Sequence, residues 1–455
     1  MGALFREISR FSRDRSGNIG VIFALALLPL ISAVGCAVDY NRATQIRTKL
    51  QAAADAASVG SVSRTSPAFI AAGTMTTDGP IPVGVTDAAN IFNADISNET
   101  GYTLNSVTPT VVRAAGTVNS TVQFSATVPT MFLGVMGKTA MTVTGTSTST
   151  ANMPLYIDFY LLLDNSPSMS VGATPTDVAA MVSATSASSF GSNQNCAFAC
   201  HDVASGATDN FYALAKSLGV TMRIDVLRTA TQQLMTTAAQ TETYSNQFRM
   251  AIYDFGVSAD TAGITTIFPL GTSLTSAQAA AANIDVMTVN GQNDQNDQDS
   301  DFDTLLTQMN SAISSPGPGT SSSPQKYLFF VSDGVADERN SSCLATMTNS
   351  TFGNLSPRCQ EPINTALCTT IKNRGIKIAV LYTTYLQLPT NARYMSWIDP
   401  FNQGPWGPSP NSKIAQNMQS CASPGLYFEV SPTQGISDAM NALFQKAVAD
   451  ARISN

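Results

Sequence analysis

The sequence predicts three parts in order: an N-terminal transmembrane helix, a small α+β segment, and a doubly wound α/β domain with a mostly parallel central sheet. Three observations support this prediction. Residues 19–38 are apolar and uncharged, residues 62–150 are rich in Thr, Val and Ser, and residues 153–451 alternate short apolar runs with helical stretches. The chain has 455 residues, and that length suits roughly two or three domains.

Residues 19–38 are long enough to cross a bilayer, because about 20 residues rising 1.5 Å each span a hydrocarbon layer of roughly 30 Å. Residues 1–18 form a basic tail with four arginines, and the positive-inside rule keeps such a tail in the cytoplasm. We therefore expect a single-pass protein whose remaining chain lies outside the cytoplasm. Two alternatives stay open: a cleaved signal peptide, and a lipoprotein signal ending at Cys36.

Composition excludes several functional classes. Charged residues make up 12% of the chain and the net charge is −7, and no basic stretch is long enough to follow a phosphate backbone, so we expect no nucleic-acid binding. The single histidine, His201, argues against catalytic triads and His-based zinc sites. No G-x-S-x-G elbow precedes a helix, so we expect no enzyme activity.

Cysteine usage fits an exported protein. Six cysteines follow the membrane segment, and an even number in an exported region indicates disulfides. Six cysteines allow 15 pairings. Proximity along the chain favours Cys196–Cys200 and Cys343–Cys359, which leaves Cys368–Cys421. A cysteine metal site is the alternative, but the paired C-x-x-C spacing is missing.

The segment 39–150 begins with an Ala-rich helix that leaves the membrane and ends near Gly60. A second helix is predicted at 86–96. Alternating runs predict strands at 103–114, 117–128 and 139–149. These elements indicate a small α+β domain.

The segment 153–451 carries the pattern of a parallel sheet covered on both faces, in which buried strands alternate with helices. The predicted strands are 155–163, 248–255, 327–331, 376–383 and 426–430. The predicted helices are 209–240, 276–287, 303–313, 361–374 and 435–451. We expect insertions at 171–208, 339–360 and 385–412.

Oxygen-bearing side chains follow two of these strands. Asp164, Ser166 and Ser168 come directly after the first strand, and Asp333 follows the 327–331 strand. Ligands of doubly wound sheets sit beyond the carboxyl ends of strands, and an all-oxygen donor set suits Mg²⁺ or Mn²⁺. The alternative is that these residues only cap the next helix.

The D-x-S-x-S loop and the later S-D-G turn resemble the von Willebrand factor type A domain and its metal-ion-dependent adhesion site. The resemblance covers residues 153–451 and implies a second-loop hydroxyl, for which Ser300 is the candidate and Thr304 the fallback. It also implies a protein partner that completes the metal site with an acidic side chain. The chain beyond the membrane is itself acidic, so such recognition has to be local.

The N-terminal region resembles the TadG-type Flp pilus-assembly proteins of the bacterial tight-adherence system. The similar residues are Phe11 to Asn18, Val38-Asp39-Tyr40 and Leu50 to Ala57, on either side of the apolar segment. This resemblance implies an inner-membrane protein with a periplasmic C-terminal domain and other pilus-assembly components as partners. Two rivals are a surface adhesin or lipoprotein that binds an extracellular ligand through the same metal site, and a cytosolic partner of a metal-insertion ATPase. The anchor and the exported cysteines argue against the cytosolic rival.

Two further patterns are discounted. Cys196 to His201 has one residue more than the C-x-x-C-H haem motif. Asp297, Asp299, Asp301 and Asp303 alternate as in a calcium loop, but Phe302 stands where the loop requires glycine.

Overall fold

The computed structural model of the chain describes residues 17–453 with internal gaps. The gaps are 76, 188–193, 200, 205, 208–209, 262, 291–297, 340–347, 350–352, 355–357, 386, 388, 390–393, 404–410 and 432–434. The chain divides into two compact units, Met1–Met153 and Pro154–Asn455.

The first unit begins with one long helix, α1, which runs from Gly17 to Ser61 over 45 residues. It joins the predicted membrane segment and the predicted exit helix without a break, and it contains Pro29. Within the described residues, the part from Gly20 to Ser61 is the one helix long and apolar enough to cross a membrane. This finding fits a membrane-anchored protein.

A four-stranded antiparallel sheet, in the order β1-β2-β3-β4, completes the first unit with two short helices. The strands are β1 (Gly79–Pro80), β2 (Thr103–Ala114), β3 (Thr117–Pro129) and β4 (Ala140–Asn152). The helices are α2 (Pro67–Thr74) and α3 (Pro82–Asp95), and the β3–β4 loop contains a 3₁₀ turn at Leu133–Met136. The three predicted strands are confirmed. Helix α2 was not predicted, although its signature, a Ser66 cap followed by proline, stands in the sequence.

Helix α1 packs along β4 through polar side chains. Arg47 Nε donates to Thr144 O at 3.1 Å, and Gln51 Nε2 donates to Thr146 O at 3.1 Å. Near the end of the helix, the hydroxyl of Ser58 lies 2.8 Å from that of Ser149 and 3.0 Å from that of Ser147. The helix and the strand therefore stay in register over several turns.

The second unit is built on a six-stranded sheet in the order β14-β13-β8-β5-β6-β7. All neighbours are parallel except β7, which is antiparallel to β6 at the edge. The strands are β5 (Ile157–Leu163), β6 (Phe248–Asp254), β7 (Thr265–Gly271), β8 (Gln325–Ser332), β13 (Lys377–Thr383) and β14 (Tyr427–Val430). The predicted mostly parallel α/β fold is confirmed.

Helices cover both faces of this sheet. The helices of the second unit are α4 (Pro175–Ala184), α5 (Phe211–Leu218), α6 (Arg223–Thr241), α7 (Leu274–Ala281), α8 (Phe302–Ala312), α9 (Thr365–Asn373), α10 (Asp399–Asn402), α11 (Lys413–Cys421) and α12 (Ile436–Ile453). Phe159, Leu161 and Leu163 of β5 enter the core beneath α6, α7 and α12. Tyr160 and Leu162 enter the opposite core, beneath α8, α9 and α11. This alternation explains why β5 is a continuous apolar run.

Smaller elements depart from the predictions. The helix expected at 209–240 is two helices, because Gly219 takes a left-handed conformation (φ 68°) and ends α5. The edge strand β7 was not predicted. The segment 171–208 contains α4, which a capping box between Thr174 and Asp177 begins. The segment 385–412 contains a π-helix at Tyr394–Ile398 and α10.

A hairpin and a small ribbon extend the region after β8. Strand β9 (Val335–Arg339) pairs antiparallel with β12 (Arg358–Pro362). The two-residue strands β10 (Thr348–Asn349) and β11 (Gly353–Asn354) pair with each other.

One predicted disulfide is confirmed: Cys368 of α9 is bonded to Cys421 of α11, with their Cα atoms 5.1 Å apart. Cys359 is also disulfide-bonded. Its predicted partner, Cys343, lies outside the described residues, as does Cys200, the predicted partner of Cys196.

Candidate metal centre

The loop after β5 carries three of the predicted ligands as one hydrogen-bonded group. Asp164 is fully buried, and its N–H donates to Val331 O of β8 at 2.9 Å. Its carboxylate accepts two hydroxyls: Ser166 Oγ donates to Oδ1 at 2.5 Å, and Ser332 Oγ donates to Oδ2 at 2.6 Å. Ser166 Oγ also lies 2.9 Å from Ser168 Oγ.

Asp333, the fourth predicted ligand, follows the neighbouring strand β8 and is 1% exposed. Its Oδ1 accepts the N–H of Val335 at 3.4 Å, whereas its Oδ2 is buried without a hydrogen-bond partner. Burial and the adjacent charge of Asp164 raise the pKa of Asp333 to about 7, against the opposing effects of Arg223 and the Ser168 hydroxyl. A buried carboxylate oxygen without a partner is costly unless something binds it.

Both carboxylates are therefore held in an environment that disfavours their charge. Burial raises the pKa of Asp164, although the hydrogen bonds from Ser166 and Ser332 partly oppose the rise. Two buried carboxylates that interact with each other, with hydroxyls between them, form the all-oxygen donor set that Mg²⁺ or Mn²⁺ takes. The residues present fit such a cation.

The structure explains why the S-D-G turn requires glycine at its third position. Gly334 has φ 76°, in the left-handed region. A Cβ at this position would come within 2.6 Å of Met418 Cγ and 3.0 Å of Ile414 Cγ2. Only glycine lets the chain turn directly after Asp333 beneath α11.

The structure gives Ser300 other contacts. Its backbone forms a bridge with Asp337 of β9: the Ser300 N–H donates at 3.1 Å and its carbonyl accepts at 3.3 Å. Within the described part of the chain, no hydrogen bond or ion pair joins Ser300 to the other four predicted ligands. Thr304, the fallback, donates its hydroxyl to Asp301 Oδ2 at 2.8 Å in the N-cap of α8. The second-loop hydroxyl therefore stays a prediction.

Arg223 is a residue of the site that the sequence analysis missed. It begins α6, is 1% exposed, and places its Nη1 3.9 Å from Asp333 Oδ2. Its Nη2 donates to Thr384 O at 3.3 Å, and its guanidinium lies 6.0 Å from the ring centre of Tyr385. A separation of 3.9 Å is too long for a hydrogen bond, so Arg223 offsets the carboxylate charge without satisfying Oδ2. One signal could have found it: Arg223, Leu227, Ala230 and Leu234 share the apolar helix period.

Asn165 was also missed, and it positions the first loop. Its Nδ2 donates to Gly256 O at 2.8 Å and to Asp285 O at 3.1 Å, while its Oδ1 accepts the Phe255 N–H at 3.0 Å. Its carbonyl accepts the Met287 N–H at 2.9 Å. Asn165, the second residue of the D-x-S-x-S motif, therefore joins the first loop to the chain after β6.

A third buried carboxyl lies at the same edge of the sheet. Asp254 ends β6 directly opposite Leu163 and is 4% exposed. Burial raises its pKa to about 7, although the Gly256 N–H partly stabilises the anion. The carboxyl ends of β5, β6 and β8 thus each carry an aspartate.

The two discounted patterns have other contacts in the structure. Asp301 caps α8, Asp299 Oδ2 lies 3.3 Å from Arg358 Nη2, and Asp297 lies outside the described residues. His201 stacks on Tyr212 with ring centres 4.5 Å apart. No group of three or more His, Cys, Asp or Glu able to hold a metal occurs among the described residues.

Comparison with known families identifies the N-terminal region. Residues 17–64 match the Tad family model, Flp pilus-assembly TadE/G-like. The resemblance of this region to TadE/G-like pilus-assembly proteins is therefore confirmed. A comparison with curated proteins gives no match.

Among solved structures, the chain is similar to the vWF domain of the type V pili tip protein Mfa5 from Porphyromonas gingivalis. The identity is 9% and the TM-score 0.35, and the match covers 66% of this chain and 97% of that chain. A structure of three N-terminal domains of the same protein gives 9% identity and a TM-score of 0.33, covering 71% of this chain and 51% of that one. The fold assignment itself rests on the strand order of the sheet.

Proposed function

We propose that this chain is a membrane-anchored, non-enzymatic pilus-assembly or adhesion protein of a tight-adherence (Flp pilus) system. Its second unit binds a partner protein through Mg²⁺ or Mn²⁺. The match over residues 17–64 supports the pilus part of the proposal. The observation that carries the metal part is Asp333 Oδ2, a buried carboxylate oxygen without a hydrogen-bond partner beside a second buried carboxylate.

In this proposal Asp164 and Asp333 hold the cation from neighbouring strand ends, helped by the hydroxyls of Ser166 and Ser168. Ser300 is the proposed second-loop ligand. When bound, the cation supplies an incompletely coordinated positive charge that attracts a carboxylate. We expect that carboxylate to be an Asp or Glu of the partner. The net charge of −7 does not steer an acidic partner, so the attraction acts only at close range.

The proposed location is the bacterial inner membrane, with the second unit in the periplasm and other pilus-assembly components as partners. The apolar part of α1 supports the anchor, and the arginines before it support a cytoplasmic N-terminus. The Cys368–Cys421 disulfide is what an oxidising compartment permits.

Thermal melting of the full chain in detergent, with Mg²⁺ and with EDTA, tests the metal site. At a cation concentration a hundredfold above Kd, the free energy of unfolding of wild type should rise by about 2.7 kcal/mol. Asp164→Ala and Asp333→Asn should gain nothing, because each removes a charged ligand. Asp260→Asn, at an exposed loop position of the same unit, is the control and should respond as wild type does.

Equal responses of wild type and Asp164→Ala would mean that the Asp164 loop is only a helix cap. The metal-dependent partner model would then fail, while the membrane anchor and the Tad-like region would stand.

A further inference from the structure

The loop between β3 and β4 presents an apolar surface beside the membrane helix. Over residues 131–136 it reads Met-Phe-Leu-Gly-Val-Met. Four of its side chains are exposed: Met131 by 69%, Phe132 by 43%, Val135 by 89% and Met136 by 64%. Single exposed apolar residues are ordinary, but a concentration in one short loop indicates a contact surface.

The loop is fixed to α1 by one carboxylate. Asp39 is the first charged residue after the apolar segment and is 2% exposed. It accepts three backbone N–H groups of the loop, from Met131 at 2.9 Å, Phe132 at 2.9 Å and Leu133 at 2.8 Å. The hydrogen bond from Leu133 is the main cause that lowers the pKa of Asp39. The carboxylate thus stays ionised and buried against the loop.

A glycine of α1 gives the loop its second point of attachment. A Cβ on Gly35 would collide with the side chain of Phe132, so glycine is what allows the loop to lie against the helix. Gly35 is inside the predicted membrane segment 19–38, about 5 Å before its end at 1.5 Å per residue. A loop that contacts both Gly35 and Asp39 lies at the depth where the hydrocarbon layer gives way to the lipid headgroups.

We propose that the β3–β4 loop inserts into the interface of the same bilayer that α1 crosses, so that the first unit has a second membrane contact. Met131, Phe132, Val135 and Met136 enter the boundary of the acyl chains. The exposed Lys138 lies at the lipid phosphates, where a cation on a long stem is favoured.

Lipid is the occupant because this surface continues the apolar surface of α1. Four apolar side chains of that helix are exposed by 48% to 64%, as in a lipid-facing segment: Leu30, Ile31, Val34 and Val38. The loop adds apolar area directly at the end of this segment. The Asp39 hydrogen bonds hold it there without a change of fold.

The other end of the same unit supplies a matched control. Val83 is an apolar side chain exposed by 45%. Ile81, two residues before it, donates its N–H to Val111 O at 2.8 Å, and Val111 is paired with Ser120 of β3. The part of β3 from Ser120 to Pro129, next to the loop, is about 30 Å long at 3.3 Å per residue. Val83 therefore lies far from the proposed membrane contact.

The test uses the full chain with Cys36→Ala. One cysteine is then added, by Val135→Cys or by Val83→Cys, and is labelled with an environment-sensitive fluorophore. The protein is reconstituted into vesicles of phosphatidylethanolamine and phosphatidylglycerol, with or without a lipid that carries a nitroxide quencher at carbon 5. The Cys36→Ala chain without an added cysteine sets the background labelling. Val38→Cys at the membrane boundary is the positive reference.

We expect the label at Val135 to shift to the blue in vesicles and to lose most of its emission to the quencher, as the Val38 label does. The label at Val83 should keep its emission. Because Val135 is 89% exposed, Val135→Cys should melt at the wild-type temperature, which separates this result from misfolding. A Val135 label that responds like the Val83 label overturns the proposal. So does a label that the quencher spares but that becomes shielded as the protein concentration rises, since a second copy would then cover the loop.

Discussion

The two ends of strand β5 carry buried aspartates in opposite electrostatic settings. At the amino end, Asp158 is fully buried and accepts two hydrogen bonds from Arg249, each at 2.6 Å, and a further one from the buried Lys326. At the carboxyl end, Asp164 and Asp333 share one buried cation, Arg223, which is 3.9 Å from the nearest carboxylate oxygen.

The difference separates a structural ion cluster from the proposed metal site. One carboxylate with two cations satisfies its hydrogen-bonding capacity, so the amino end is a structural ion cluster. Two carboxylates with a single distant cation leave an oxygen unsatisfied, and folding alone does not favour such an arrangement. The carboxyl end is therefore where we place the proposed binding site, and the following variants test this contrast.

The largest effect is expected from Asp158→Asn at the amino end. It leaves Lys326 buried without a counter-charge, and breaking a buried pair in this way costs about 3–5 kcal/mol. Thermal melting of the full chain in EDTA measures the loss. The double variant Asp158→Asn with Lys326→Met should recover part of it, since the uncompensated charge is gone. A loss below about 1 kcal/mol in the single variant would contradict the structural role of this cluster.

A smaller, metal-dependent effect is expected from Arg223→Met at the carboxyl end. In EDTA the free energy of unfolding of the variant should fall by about 2–3 kcal/mol, because Asp333 loses the nearby charge of Arg223. In saturating Mg²⁺ the loss should shrink, since a bound cation supplies the missing charge, and titration calorimetry should find tighter Mg²⁺ binding than in wild type. An equal loss with and without Mg²⁺ would show that Arg223 acts through packing alone.

The smallest effect on stability is expected from Asp254→Asn, and it depends on pH. The unfolded Asp254 carboxyl titrates near 3.8 and the folded one near 7. Both states are protonated below about pH 4, so the group then contributes nothing. Between pH 4 and 7 the unfolded state ionises first, and stability falls as the pH rises. Asp254→Asn removes this loss and should be more stable than wild type at pH 8, by a fraction of the roughly 4 kcal/mol that corresponds to a rise from 3.8 to about 7. The two should melt alike at pH 4, and an equal difference at both pH values would contradict the assignment.

The sequence was sufficient to predict the parts of the molecule that depend on local patterns. The apolar run of β5 predicts a strand buried on both faces, and the loop that follows it predicts Asp164, Ser166 and Ser168 as one group. Asp333 was predicted from its strand end. In each case the pattern that makes the prediction lies in adjacent residues.

The parts that failed depend on contacts across the fold. Arg223 reaches Asp333 only because α6 begins beside the sheet edge, and Asn165 joins segments about 90 and 120 residues away in the chain. Strand β7 has a half-buried edge pattern without the apolar run of its neighbours. Ser300 is the candidate for the second-loop hydroxyl that the family resemblance implies. The structure bridges its backbone to β9, and its role as a ligand stays a prediction. Long-range partners of this kind leave little trace in a single sequence.

The unbroken helix α1 has a mechanical consequence. A force along α1 passes from the predicted membrane segment to the sheet of the first unit without an intervening loop, because the helix is continuous from Gly17 to Ser61. The bonds from Arg47, Gln51 and Ser58 to β4 run across the direction of that pull over a span of more than ten residues. They are therefore loaded together in shear rather than opened one after another. The membrane segment and the sheet of the first unit would therefore move together under tension.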